Sequence, residues 1–310
     1  MRQRTRTTLT WVVGLALVSN TSFAGGGVTA VQFGDLTIDN AIGLAIRGDG
    51  KLMVESAITS LTTSQVAFVT MRLLPNGLLD PSFNGSGTSP SGAGIVRDLL
   101  SGFGFPTGLA VQANGKTVVV GRDQDQYAII RYNDDGSRDT TFNGTGVVIG
   151  TVPSPGGPQA ATTAIVQADG AVLATLRTSE NRTTIVRYLR NGQLDLSFGF
   201  GGIKEGELGS PVATAVDLQA DGRMLIAGSF IDKFGNSGVA VSRFNVDGSD
   251  DPTFGAGGTS AIVIASAFIE PFKPTPLHIQ IDGRVVVGAS LGRFQPGGPP
   301  THDWLLARYR

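Results

Sequence analysis

The chain has no cysteine in its 310 residues. That excludes a disulfide framework, a thiolate nucleophile, cysteine-held zinc and a lipid-anchored cleavage site. Histidine is nearly as scarce: only His278 and His302 occur, and neither stands in a zinc-protease spacing. A complete phosphate-loop pattern and a Gly-x-Ser-x-Gly elbow are also missing. Nucleotide binding and serine-hydrolase chemistry therefore lose their usual signatures. No cofactor or catalytic constellation is left to assign. Charge is thin as well, at 16% of residues with a net of −1 and no long run of either sign. Nothing in that balance marks a nucleic-acid or anionic-membrane partner.

Glycine is abundant, with 44 copies spread along the chain without a three-residue period. That excludes collagen and suits many short strands joined by tight turns. The amino end reads differently. Arg2, Arg4 and Arg6 precede an apolar run from Leu9 to Val18, and Ser22-Phe23-Ala24 puts small residues at −3 and −1. This is the pattern of a secretory signal over residues 1–24 with cleavage after Ala24. The run is too short to span a bilayer, so no membrane span is expected after cleavage. Loss of three arginines leaves a net charge of about −4. The expected location is secreted, periplasmic or on the cell surface.

Self-similarity dominates the remainder. RLLPNGLLDPSFNG begins at Arg72, RYNDDGSRDTTFNG at Arg131, RYLRNGQLDLSFGF at Arg187 and RFNVDGSDDPTFGA at Arg243. In each, an Asp follows eight residues later (Asp80, Asp139, Asp195, Asp251) and a Phe three beyond it (Phe83, Phe142, Phe198, Phe254). A fifth copy opens at Arg308-Tyr309. A second motif precedes each copy: AIRGDGKLMV, AVQANGKTVVV, AIVQADGAVLA, DLQADGRMLIA and HIQIDGRVVVG. Two apolar runs flanking Asp-Gly or Asn-Gly predict a two-residue type I′ hairpin, with positive φ at both central residues.

Each unit thus reads as strand A, hairpin, strand B, variable loop, strand C ending in Arg, a compact Asp-x-x-Phe loop, and a Gly step into strand D. Four antiparallel strands at a period of roughly 55 residues predict an all-β fold, a β-propeller of five four-stranded blades over residues 25–310. The last unit stops at strand C, while GGGVTAVQF near the amino end matches a Gly step plus strand D. Val28–Phe33 is expected to complete the fifth blade, close the ring and cover an exposed edge.

The two-part pattern resembles the delta-60 repeat of bacterial exported and surface proteins, and the likeness runs over residues 28–310. The resemblance implies a propeller-type fold and assigns little chemistry. Leu73 departs from it where an aromatic follows Arg elsewhere, and Ala171 departs where a basic residue follows the hairpin Gly.

The Asn/Asp-rich loops resemble calcium loops in composition. Calcium needs several oxygen ligands, and where two copies offer Asn133 and Asn245 the others have Leu74 and Leu189. What recurs is Arg and Asp at constant separation, which predicts a structural ion pair with Phe as an inter-blade plug and no metal site. Arg47-Gly48-Asp49 looks like an adhesion tripeptide but aligns with the first hairpin. Glu205 and Glu207 share a strand face and are the nearest thing to a general acid–base pair; a solvated outer-strand face explains them better.

Loop lengths locate the expected binding face. From hairpin Gly to strand-C Arg the spacings are 22, 16, 17, 21 and 25 in units one to five. Variation on one face of a rigid scaffold suggests a site among the longer loops. The candidates are Asp232, Lys233 and Phe234 in unit four, with Phe294, His302 and Asp303 in unit five. The function expected is that of a monomeric binding or scaffolding module for a protein or glycan ligand. The alternatives are a propeller hydrolase or lyase acting on an extracellular polymer, and a repeat array that closes only with other chains.

Overall fold

The computed structural model describes residues 31, 37–84, 93–101, 103–153, 159–177, 183–206, 212–231, 237–263, 268–269, 277–280, 282–293 and 301–309. Five antiparallel sheets follow one another along them. The first runs β1 (Thr37–Ile46), β2 (Leu52–Ser60), β3 (Val66–Leu73), β4 (Ile95–Asp98), each strand beside its sequence neighbour. The second has β5 (Gly104–Val111), β6 (Thr117–Asp123), β7 (Gln126–Tyr132) and β8 (Val147–Gly150) in the same order. The third holds β9 (Ala160–Val166) to β12 (Ile203–Glu205), with β10 (Val172–Arg177) and β11 (Thr183–Tyr188) between them. The fourth holds β13 (Val212–Leu218), β14 (Met224–Ile231), β15 (Ser237–Phe244) and β16 (Thr259–Val263).

The fifth sheet differs. Its strand A is broken into β17 (Phe268–Ile269) and β18 (Leu277–Ile279), which share one edge of β19 (Val285–Arg293). β20 (Thr301–Tyr309) pairs with the other edge. Among the described residues nothing occupies a strand-D position there. Of Val28–Phe33 only Val31 is described, and it packs against Ile58, Val69, Met71 and Ile95 of the first sheet.

First strands of successive units lie side by side, β1 with β5, β5 with β9, β9 with β13 and β13 with β18. The middle strands are covered on both faces: β3 and β11 are buried along their whole length. Such strands carry apolar side chains on both faces, as at Phe68 and Val69 or Ile185 and Val186, because each is sandwiched between neighbouring sheets. The core is therefore a series of inter-unit seams. One joins Val118, Ile129 and Phe142 to Val172, Val186 and Tyr188, and the next joins Leu173, Ile185 and Phe198 to Met224 and Phe244.

Every buried phenol on these seams has a partner, as burial of a hydroxyl demands. Tyr188 meets the Tyr127 hydroxyl at 2.6 Å, Tyr132 donates to Asp98 at 2.6 Å, and Tyr309 donates to the Val239 carbonyl. At the corresponding position of unit four the residue is Phe244, which has no hydroxyl to satisfy.

The hairpins correct the type I′ expectation. The glycines take positive φ, for example Gly50 at 78° and Gly115 at 86°, but the preceding Asp or Asn residues do not. Gly50 N–H donates to the Arg47 carbonyl, and Arg47 N–H to that of Lys51. This is a type I turn closed by a left-handed glycine. The Asx side chain decides the outcome, because it accepts the N–H two residues on, as in Lys51 to Asp49 and Ala171 to Asp169. That bond holds the Asx at ordinary φ and leaves one left-handed position for glycine.

Candidate functional site

The recurring charges converge where strand C ends. Arg131 Nε donates to Asp139 Oδ2 at 2.6 Å, and Lys116 Nζ reaches the same oxygen at 2.6 Å. The other oxygen accepts from the Thr141 backbone at 3.1 Å and the Thr141 hydroxyl at 2.7 Å. The Phe142 ring lies 4.4 Å from the guanidinium carbon. Unit one repeats the arrangement with Arg72, Asp80, Lys51, Ser82 and Phe83. Unit four does so with Arg243, Asp251, Arg223, Thr253 and Phe254. Unit three has Arg187, Asp195, Ser197 and Phe198, with buried Ala171 in place of the second cation.

The groups of units one to three also reach the next unit. Arg131 donates to the Arg190 carbonyl at 2.8 Å, Arg187 to the Val246 carbonyl and Arg72 to the Asp134 carbonyl. The residue after the Phe of units one to three adds a backbone bond to the following turn: Asn84 to Asp135, Asn143 to Asn191, and Gly199 to Asp247. Those three Phe rings lie under the turn glycines of the next unit, so closely that a Cβ on Gly192 would sit 3.0 Å from Phe142. Sequence spacing showed the Arg and Asp together; the reach across units is carried by backbone carbonyls, which no side-chain pattern displays.

The electrostatics follow from these contacts. Burial works against ionisation of Asp80 and Asp139, yet hydrogen bonds from Lys51 and Ser82, and from Lys116 and Thr141, outweigh it with the help of Arg72 and Arg131. Both carboxyls are held well below the usual range. Asp195 is lowered against burial by Ser197 and Arg187, and Asp251 mainly by its bond from Thr253. Lys116 Nζ also takes Asn133 Oδ1 at 3.1 Å, so an ammonium stands where a calcium ion would need that oxygen. Among the described residues no three His, Asp or Glu side chains gather into a metal-sized group.

The Arg-Gly-Asp stretch is engaged internally. Arg47 donates to the Gly115 carbonyl at 2.9 Å and pairs with Asp134 at 2.7 Å and with its own Asp49 at 3.2 Å. Glu205 ends β12 opposite Thr184, and Glu207 lies outside the described residues.

The loop candidates fare unevenly. Asp232, Lys233, Phe234 and Phe294 lie outside the described residues. His302 and Asp303 sit within β20, their backbones opposite Gly292 and Leu291, rather than in the loop before it.

Four segments, 47–83, 112–142, 167–198 and 219–254, match the family described as Domain of unknown function (DUF5122) beta-propeller. Each begins three residues before a hairpin glycine and ends on the recurring Phe. The repeat is of β-propeller type. Its sheets are thus blades, consistent with the order of their strands. No curated protein matches the chain. Among solved structures, an ulvan lyase shares 13% identity over 89% of this chain and 71% of its own, with a TM-score of 0.45. The β-propeller domain of the trilobed protease from Pyrococcus furiosus shares 8% over 84% and 82%, with a TM-score of 0.37. Prolyl oligopeptidase B from Galerina marginata shares 10% over 86% of this chain and only 33% of its own, with a TM-score of 0.41. At these scores the likenesses carry no argument about function.

Proposed function

We propose that the chain is an exported, non-catalytic binding or scaffolding module, built as a five-bladed propeller that its amino-terminal segment closes into a ring. The observation that carries this reading is the internal use of the recurring charges. Every recurring Asp is taken up by an arginine, a hydroxyl and a backbone N–H. These groups hold blades together and are not free to do chemistry. Function then falls to residues outside the repeat, as in other scaffolds whose loops carry the site. A screen of the secreted chain against glycan and peptide arrays, run beside assays for cleavage of the same polymers, tests the reading. Binding without cleavage is expected; turnover of a polymer would overturn it.

Closure is supported by Val31. It packs on blade one as strand-D residues Val96 and Val148 pack on blades two and three. A chain beginning at Leu36 should therefore melt at least several degrees below one beginning at Gly25, or aggregate through its uncovered edge and apolar face. Equal melting temperatures and a monomer in both would remove the closing role.

A further inference from the structure

Phe103 and Phe105 differ from the recurring phenylalanines of the repeat. The four recurring rings are buried between blades, whereas Phe103 is 57% exposed and Phe105 39%. Packing on the other side of the strand dictates this. A Cβ on Gly104 would lie 2.5 Å from the Phe68 ring, so that face of the chain closes against blade one. Alternation then turns the two flanking side chains to the open face, roughly 7 Å apart along the strand.

A cation stands beside them. Arg122 is the cross-strand partner of Phe105, with its guanidinium carbon 5.9 Å from the ring centre. Among the described residues no carboxylate or hydrogen-bond acceptor holds that guanidinium. The platform is also uncovered, because β6 and β7 are joined by the two residues Gln124 and Asp125, with Gln124 at a φ of 53°. On its other flank the bridge between Val66 and Phe103 sets the rings beside the foot of the β2–β3 turn.

We propose that Phe103, Phe105 and Arg122 form a binding platform for an acidic polysaccharide, on the face that carries the B–C and D–A connections. The proposal rests on the binding-module reading and gives it a ligand class. Two exposed aromatic rings on the same side of the chain suit the apolar C–H faces of successive sugar rings, and a guanidinium without an acidic partner among the described residues suits a carboxylate or sulfate on one of them. Nucleic acid fits poorly: its affinity comes from several neutralised phosphates, and this platform has one cation on a chain of net charge −1.

The test is calorimetric titration of the secreted chain with galacturonate, guluronate and sulfated-galactan hexamers. Uncharged glucose and xylose hexamers and an acidic peptide library serve as comparators. At least one acidic hexamer should bind, with affinity falling as salt rises. Phe103→Ala and Phe105→Ala should each weaken it about tenfold or more, and Arg122→Gln should abolish the preference for acidic over uncharged hexamers. All three positions are on the surface, so melting temperatures should stay near the parent's. If Phe105→Ala perturbs the fold, Arg122→Glu still reads the charge preference alone. No binding of any acidic hexamer, or binding unchanged in the Phe103→Ala, Phe105→Ala double variant, overturns the platform. Peptide or uncharged-glycan binding that ignores these residues overturns the platform but leaves the binding module standing, whereas cleavage of the hexamers overturns both.

Discussion

Glu55→Gln flattens the pH dependence of stability and yields a protein more stable than its parent at pH 9. Glu55 lies on β2 with its side chain fully buried on the seam between blades one and two. One oxygen accepts from the Thr70 hydroxyl at 2.6 Å, and the other has no partner among the described residues. The corresponding residues of the other blades are Val120, Thr175, Ala227 and Gly288, so the repeat itself does not require an acid. The charged group beside it is Asp98, which is bonded by Tyr132 and Arg138.

Burial, with a lesser contribution from the Asp98 charge, pushes the Glu55 carboxyl up from 4.5 to about 8, against the bonds from Thr70 and Val69. The folded protein therefore keeps a proton that the unfolded chain releases. The stabilising contribution is complete below about pH 4.5, declines as pH rises through about 8, and is gone above that. At 1.36 kcal/mol per unit the full span is about 5 kcal/mol, an upper figure that water entry would reduce. Denaturant titrations at pH 5, 7 and 9 check this. The parent should lose several kcal/mol across the series while the glutamine variant stays nearly level. Parallel profiles for the two proteins would show that Glu55 is not a buried acid.

Asp139→Ala should cost about 3 kcal/mol, the scale for removing one member of a buried pair. The loss leaves Arg131 and Lys116 without their shared acceptor, and the Thr141 N–H and hydroxyl without theirs. Asp195→Ala, in the blade without a second cation, should cost less because it strands one charge fewer. A fall in melting temperature on the order of 10 °C for the first variant, and a smaller one for the second, is the pattern to look for. Because both carboxyls are depressed, the stability they supply is present above the ordinary Asp pKa and lost as pH falls through their lowered values. Glu55 acts in the opposite direction, so the parent should be most stable in mildly acidic solution.

Much of this architecture was readable in advance. Hairpin glycines and the Arg-to-Asp interval are local features, and local backbone chemistry repeats faithfully: strands A to D fell in the expected order in the first four blades. The turn type was misread because Asp-Gly was weighed as backbone preference alone. The Asx side chain's bond to the second following N–H, visible at Asp49 and Asp169, changed the balance. Inter-blade bonds to carbonyls of Asp134, Arg190 and Val246 carry no sequence mark at all. Glu55 could have been found by asking which position of the aligned units breaks its apolar character. The exposed pair at Phe103 and Phe105 lies outside the two recurring motifs, at the start of strand A of unit two, where no spacing marks it.

The central claim is that the recurring Arg–Asp groups are struts between blades, with lysine and arginine already holding the carboxylates. Thermal unfolding of residues 25–310 at pH 7, in calcium and in chelator, tests this most directly. The two melting curves should superimpose. A melting temperature that rises by many degrees in calcium and falls on chelation would contradict it, and would make the Asp-rich loops an ion-binding site.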